Sequence, residues 1–187
     1  MKRYILFAGV NGAGKTTLYQ SVSDYKEIPR VNMDEIVRKI GSWKNSKDVA
    51  KAGMIATRKI RNYLNEGLSF NQETTLCGKS IIYNINKAKE LGYEVILFYI
   101  GLDNVEIAKK RVAQRVLDGG HGIPEVDIVR RYTESLNNLK KIILVCDYVK
   151  IYDNTVSFVK VASFVDGKCV DKSDYIPKWL RDTLNIV

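Results

Sequence analysis

Gly9-Val10-Asn11-Gly12-Ala13-Gly14-Lys15-Thr16 is the stretch on which the reading of the fold turns. Its glycines let successive backbone N–H groups curl inward around phosphate oxygens, while a lysine and a hydroxyl follow at the spacing of a nucleotide-phosphate loop. The flanks agree. Tyr4 to Ala8 is an apolar run that predicts a first strand, and a helix is predicted from Gly14-Lys15 to about Ser23. The positive end of that helix faces the same oxygens. Gly9, Asn11, Gly12, Ala13, Gly14, Lys15, Thr16 and Thr17 are therefore the expected ATP-binding residues. Lys15 is expected to bridge the β- and γ-phosphates and Thr16 to ligate Mg²⁺.

Outward from the loop, apolar β-branched runs alternate with helix-like segments, the pattern of a parallel sheet with crossover helices. Strands are predicted at Ile28 to Asn32, Leu68 to Glu73, Tyr93 to Ile100 and Tyr148 to Tyr152. Helices are predicted at Asp34 to Ile40, Ser46 to Glu66, Lys79 to Leu91, Val105 to Leu117 and Pro124 to about Ile143. In the longest, Val49, Ala52, Ala56, Ile60 and Leu64 recur every three or four residues, with Gly67 as C-cap. A hairpin around Asp166-Gly167 and a short helix from Ile176 to Leu184 close the chain. The expected fold is α/β, a three-layer P-loop NTPase of the nucleotide-kinase type. It carries a five-stranded, mainly parallel sheet, a helical lid, and a C-terminal β-hairpin plus short helix. At roughly 150 residues per domain, the 187 residues make one domain.

Ligands of such sheets bind beyond the carboxyl ends of the strands. Asp34 follows the second strand, Glu73 ends the third beside Thr74, and Asp103 follows the fourth. Phosphoryl transfer needs one carboxylate to accept the proton of an acceptor hydroxyl and another near the metal. Asp34 is assigned as base, although Asp is also a common helix N-cap; Glu73 is assigned to metal and acceptor, and Asp103 to a cap. Arg111 and Arg115 share a helix face, Gly119-Gly120-His121-Gly122 forms a flexible turn, and Arg130 and Arg131 follow on the next helix. Helix, flexible loop and helix, with arginines on both sides, suit a lid over about residues 111–131 that brings charge to the phosphates. The other reading is solvated arginines on amphipathic helices.

Together these motifs resemble the zeta-toxin-like family of P-loop kinases. The resemblance includes the phosphate loop, Val31-Asn32-Met33-Asp34-Glu35, and Phe70-Asn71-Gln72-Glu73-Thr74. It continues through Arg115-Val116-Leu117-Asp118-Gly119-Gly120-His121-Gly122-Ile123-Pro124, Arg130-Arg131-Tyr132 and Tyr152-Asp153-Asn154-Thr155. The resemblance implies Asp34 as general base and Lys15 and Thr16 on ATP and Mg²⁺. It also implies Glu73 at the metal and acceptor, Arg115 with Arg130 or Arg131 in the lid, and Asn154 beside the nucleotide base. Thr74, Arg58 and His121 join Asp34 and Glu73 as acceptor-binding candidates. Characterised toxins of the family phosphorylate the sugar 3′-hydroxyl of UDP-N-acetylglucosamine, and an antitoxin covers their ATP site. The compact length and the Gly-Gly-His-Gly-Ile-Pro variant are similar to the family's short chromosomal branch.

Thirty Lys+Arg against 21 Asp+Glu give a net charge of +9. A surplus of this size points to a polyanionic partner, and composition does not say which. Between Val37 and Gly67 lie eight basic and two acidic residues, directly after Asp34, which suggests an anionic acceptor such as a nucleotide-sugar. A nucleic-acid-binding NTPase or switch is the alternative of another class; no helix-turn-helix, zinc finger or RNA-recognition motif accompanies the charge. A kinase of a nucleoside or a shikimate-like acceptor is the alternative within the class. Three scattered cysteines and one histidine make neither a disulfide framework nor a zinc site. The longest apolar stretch, Val95 to Leu102, is far short of the ~20 residues that span a bilayer. The expectation is a cytoplasmic protein without membrane contact.

Overall fold

A computed structural model describes residues 1–184. β1 (Arg3–Ala8) enters the phosphate loop, and α1 (Lys15–Ser21) leaves it. β2 (Arg30–Val31), α2 (Met33–Ile40), α3 (Ser46–Glu66), β3 (Phe70–Thr74), α4 (Lys79–Glu90) and β4 (Glu94–Gly101) follow. Then come α5 (Val105–Leu117), α6 (Glu125–Ile142), β5 (Tyr148–Asp153), β6 (Val159–Val165), β7 (Lys168–Lys172) and α7 (Lys178–Leu184). One sheet runs in the order β2-β3-β1-β4-β5-β6-β7. Its first five strands are parallel, while β6 and β7 add antiparallel. The expected hairpin therefore widens the main sheet at its β5 edge.

The alternation of side chains along buried strands builds two cores. Tyr4, Leu6 and Ala8 of β1 pack with Val95, Leu97 and Tyr99 of β4 on one face, under α2, α3 and α4. Ile5 and Phe7 pack with Ile96, Phe98 and Ile100 on the other, under α1 and α5. Between these layers the carboxyl ends of all five parallel strands emerge on the same side, and the loops above them make the site.

α3 has the predicted bounds because both ends are chemically marked. Asn45 Oδ1 accepts the Lys47 N–H at 3.0 Å. At the other end Gly67 takes a left-handed φ of 69°, and the Leu68 N–H returns to the Tyr63 carbonyl at 3.0 Å. Ala52, Ala56, Ile60 and Leu64 are its buried row. Ile60 and Leu64 each contribute about 1.5–3 kcal/mol by leaving water.

Two expectations need correction, and one alternative is settled. The second strand is only Arg30–Val31, because Pro29 has no N–H for the ladder and Asn32 already caps α2. The alternative reading of Asp34 as the cap of that helix falls away, which leaves its assignment as base unaffected: Asn32 Oδ1 accepts the N–H groups of Asp34 and Glu35 at 2.8 and 3.3 Å. Likewise Asn104, and not Asp103, caps α5, through the Ile107 N–H at 3.2 Å. Among the described residues no helix is long and apolar enough to cross a membrane. All three cysteines are free thiols.

Candidate functional site

The phosphate loop is held in shape from behind. Gly9 sits at φ 144°, and a Cβ there would lie 2.3 Å from the Ile100 carbonyl oxygen. Gly14 sits at φ 100°, with Asn154 Nδ2 2.7 Å from where its Cβ would be. That amide donates to the Ala13 carbonyl at 2.9 Å. Because the peptide is planar and trans, holding the Ala13 carbonyl on the back of the loop aims the Gly14 N–H at the opposite side, the cavity. Arg111 braces the arrangement. One terminal nitrogen donates to the carbonyls of Asn154 (2.8 Å) and Thr155 (3.3 Å), and the other to the carbonyl of Gly12 (3.4 Å).

Lys15 is buried and donates to the Val10 carbonyl of its own loop at 3.2 Å. Burial pushes its ammonium below the usual lysine value, against the opposing pull of Glu73 and Asp34. A buried cation whose hydrogen-bond partner is a single loop carbonyl is poised for an anion. Beside it the Thr16 hydroxyl donates to the Glu73 carboxylate, with oxygens at 3.0 and 3.1 Å. Glu73 also accepts from Arg30 (2.7 Å) and Asn32 Nδ2 (2.8 Å). The Arg30 guanidinium lies 3.4 Å over the Tyr19 ring and pairs with Glu35. Thr16 and Glu73 together fit Mg²⁺, which takes oxygen donors and commonly one or two protein ligands completed by phosphates and water.

Across the cleft from the phosphate loop stands a second wall. Asp34, left free by the Asn32 cap, lines the cavity. Its Oδ1 is 3.7 Å from His121 Nε2. Arg115 Nε donates to the His121 carbonyl at 3.1 Å, and its Nη2 approaches His121 Nε2 at 3.3 Å. A guanidinium can only donate, so this geometry makes Nε2 the acceptor and places the ring proton on Nδ1. The electrostatics agree. Burial, aided by the nearby Arg115 and Arg38 charges, outweighs Asp34 and holds the imidazole below its usual value, hence neutral at pH 7. The contact with Asp34 is accordingly not an ion pair. Trp43, from the α2–α3 connection, stacks on the His121 ring with centroids 4.1 Å apart and 7° between planes.

These groups surround one cavity of about 1110 Å³. Sites for one small ligand usually enclose about 300–1,000 Å³, so this one has room for a nucleotide and a second small molecule. Asn11, Gly12, Gly14, Lys15, Thr16, Thr17, Asp34, Glu73, Thr74, Arg115, His121, Arg130 and Arg131 all line it. Gly9, Ala13 and Asn154 are not among its lining residues. Arg131 donates to Asn11 Oδ1 at 3.1 Å, whereas Arg130 is tied along its own helix to Asp127 (2.9 Å) and Glu134 (3.1 Å). Arg58 is exposed on the outer face of α3 and lines no part of the cavity. Of the basic residues between Val37 and Gly67, Lys44 alone lines it. Arg30 and Trp43 carry no motif in the sequence, and their roles emerge only from the fold.

The zeta toxin family model matches residues 2–160, well over half of the chain. An uncharacterised protein of Haemophilus influenzae is 36% identical over 128 residues, which cover 68% of this chain and 91% of that one. Among solved structures, a chain of the AvrRxo1-ORF1:-ORF2 crystal structure with ATP aligns at TM-score 0.70 and 18% identity, over 90% of this chain and 60% of that one. The present chain thus spans less than two thirds of that relative's length. A chain of the PezAT chromosomal toxin–antitoxin system of Streptococcus pneumoniae aligns at TM-score 0.62 and 17% identity, over 98% of this chain and 78% of that one. At such identities the two structures establish the fold, an α/β P-loop kinase-like fold, and the family match carries the rest: the chain belongs to the zeta toxin family.

Proposed function

We propose that the chain is an ATP-dependent kinase that phosphorylates a hydroxyl of a small anionic molecule, a nucleotide-sugar of the UDP-N-acetylglucosamine kind. The observation that carries this is the position of Asp34. Its carboxylate is not used to cap α2 and faces the same cavity as the phosphate loop. A carboxylate opposite a phosphate loop, with room between them, is the arrangement that phosphoryl transfer to a hydroxyl requires.

In this reading the inward N–H groups of the loop and Lys15 bind the β- and γ-phosphates. Arg115 and Arg131, from the two lid helices, orient the γ-phosphoryl group and offset its charge as it moves. Asp34 takes the proton of the acceptor hydroxyl. The hydroxyl oxygen bonds to the γ-phosphorus, the bond from that phosphorus to the bridging oxygen breaks, and ADP leaves. Thr16 Oγ1 and the Glu73 carboxylate would hold Mg²⁺, which when bound would supply charge neutralisation at the phosphate oxygens. Stacked Trp43 and His121 shield the acceptor side from water, which favours the hydroxyl over hydrolysis. A protein antitoxin is the partner this reading brings with it, since the PezAT relative comes from a toxin–antitoxin system.

Mixing the protein, Mg-ATP and UDP-N-acetylglucosamine should yield a phosphorylated sugar nucleotide. Asp34→Asn should abolish transfer and leave ATP affinity within about twofold, because it removes the proton acceptor without touching the loop. A panel of sugars, nucleosides and nucleotide-sugars that yields no product while ATP still binds would sink the kinase reading.

A further inference from the structure

Arg115 does not reach the cavity as a free side chain. Two of its three guanidinium nitrogens are spent on His121, one on the backbone carbonyl and one on the ring, which leaves Nη1 without a hydrogen bond among the described residues. The guanidinium lines the same cavity as Lys15. His121 is in turn fixed by the parallel face of Trp43. Trp43 belongs to the opposite wall, in the connection between α2 and α3 next to Lys44, and its indole Nε1 is buried without an acceptor. A tryptophan that leaves its one polar atom unpaired is placed for its ring face.

We propose that Trp43 is a positioning residue that seats Arg115 through His121, and so couples the acceptor wall of the cleft to its phosphate wall. An unrestrained arginine loses much rotamer freedom when it binds phosphate. Here the loss is taken in the apo fold, because the ring stack orders His121 and His121 orders the guanidinium. The coupling also gives the cleft a direction. An acceptor that presses on the α2–α3 connection shifts the Trp43 ring, and that shift is passed to Arg115 at the other substrate. The inference rests on the reading of Arg115 as a phosphate-binding arginine; the ring stack itself does not.

The stack is tested on the apo protein by emission. Subtracting the Trp43→Phe spectrum from wild type isolates Trp43, and His121→Leu should change that difference spectrum in intensity and in access to acrylamide. An unchanged spectrum overturns the proposal. The coupling is tested by a double-mutant cycle in Mg-ATP affinity, which needs no acceptor. Trp43→Leu should weaken Mg-ATP about fivefold in the wild-type background and have no further effect in Arg115→Ala, whereas Trp43→Phe, which keeps a flat ring, should restore most of the affinity. A penalty from Trp43→Leu that persists in Arg115→Ala shows a merely structural tryptophan and overturns the proposal. A protein that binds Mg-ATP but phosphorylates no acceptor would sink the proposed function while these outcomes still decide the role of Trp43.

Discussion

Replacing Arg111 by methionine removes the brace of the phosphate loop together with one cation of the cavity wall, and Arg111→Lys, which keeps the charge, separates the two. The side chain keeps its apolar stem and loses one short bond to the Asn154 carbonyl (2.8 Å) and two longer ones, to Thr155 (3.3 Å) and Gly12 (3.4 Å). A hydrogen bond from a charged donor is worth about 1.5–3 kcal/mol, and the two long ones add little, so about 2 kcal/mol is at stake. The consequence reaches the ligand through Asn154, whose amide holds the Ala13 carbonyl and thereby aims the Gly14 N–H. If the whole of this falls on the population of the anion-binding loop, the apparent Kd for Mg-ATP rises by about 30-fold; if half does, by about fivefold.

Calorimetric titration of Mg-ATP into wild type, Arg111→Met and Arg111→Lys measures it. The lysine has a single head and can hold one carbonyl, so it should fall between the other two. Thermal unfolding provides the control. A loss of about 2 kcal/mol lowers Tm by about 4–8 °C in a chain of this size, with or without a functional loop. A lowered Tm with Mg-ATP affinity within twofold of wild type would refute the reasoning, for Arg111 would then fasten α5 to the end of β5 and leave the loop alone.

Two further outcomes follow from charge and burial. Lys15→Met should raise the Tm of the apo protein while removing ATP binding: burial dominates the depressed lysine pKa, so the folded protein holds the ammonium less readily than the unfolded chain does, and the uncharged side chain is relieved of that penalty. A fall in Tm would mean that Glu73 and Asp34 outweigh burial. His121 has its pKa lowered on folding, so the unfolded chain binds more protons as pH falls below about 6.5, and apo stability should decline there as the ring resists charging. In denaturant melts between about pH 5 and 8, wild type should therefore lose stability relative to His121→Leu toward the acid end; parallel curves would show that the imidazole titrates as it does in the unfolded chain.

What the sequence made legible was local. The phosphate loop is eight consecutive residues whose backbone needs are written in glycines, and α3 carries its Gly67 cap and its buried row within one continuous segment. The ambiguities were local too, where two side chains compete for one task. Asn32 and Asp34, like Asn104 and Asp103, are near neighbours with similar capping chemistry, and the sequence does not say which accepts the helix N–H groups. The winner matters at the site, because the Asn32 cap is what leaves the Asp34 carboxylate for the cavity. Arg130 and Arg131 differ by one helical step of ~100°, enough for Arg131 to reach Asn11 while Arg130 pairs along its own helix. What stayed hidden is made of contacts between distant segments: Trp43 on His121, Arg30 on Glu73, and Arg111 on the carbonyl of Asn154. No spacing rule connects such residues, since only the sheet order brings their loops together.

The charge surplus shows how far the distinction reaches. The net charge of +9 drew attention to the basic segment after Asp34 as an acceptor-binding surface. In the fold Lys47, Lys51, Arg58 and Arg61 lie exposed on α3, outside the cavity, and Lys44 alone of that segment lines it. Exposed charges of this kind are screened beyond ~8 Å at physiological salt and discriminate little between one anion and another. Lys15 is buried, and the guanidinium of Arg115 is held by two hydrogen bonds. Cations fixed in a partly desolvated cleft interact more strongly per charge and in defined directions. Discrimination among anions in the cleft is therefore expected from these few positioned cations, set against Asp34 and Glu73, whereas the basic face of α3 would add only long-range attraction that salt removes.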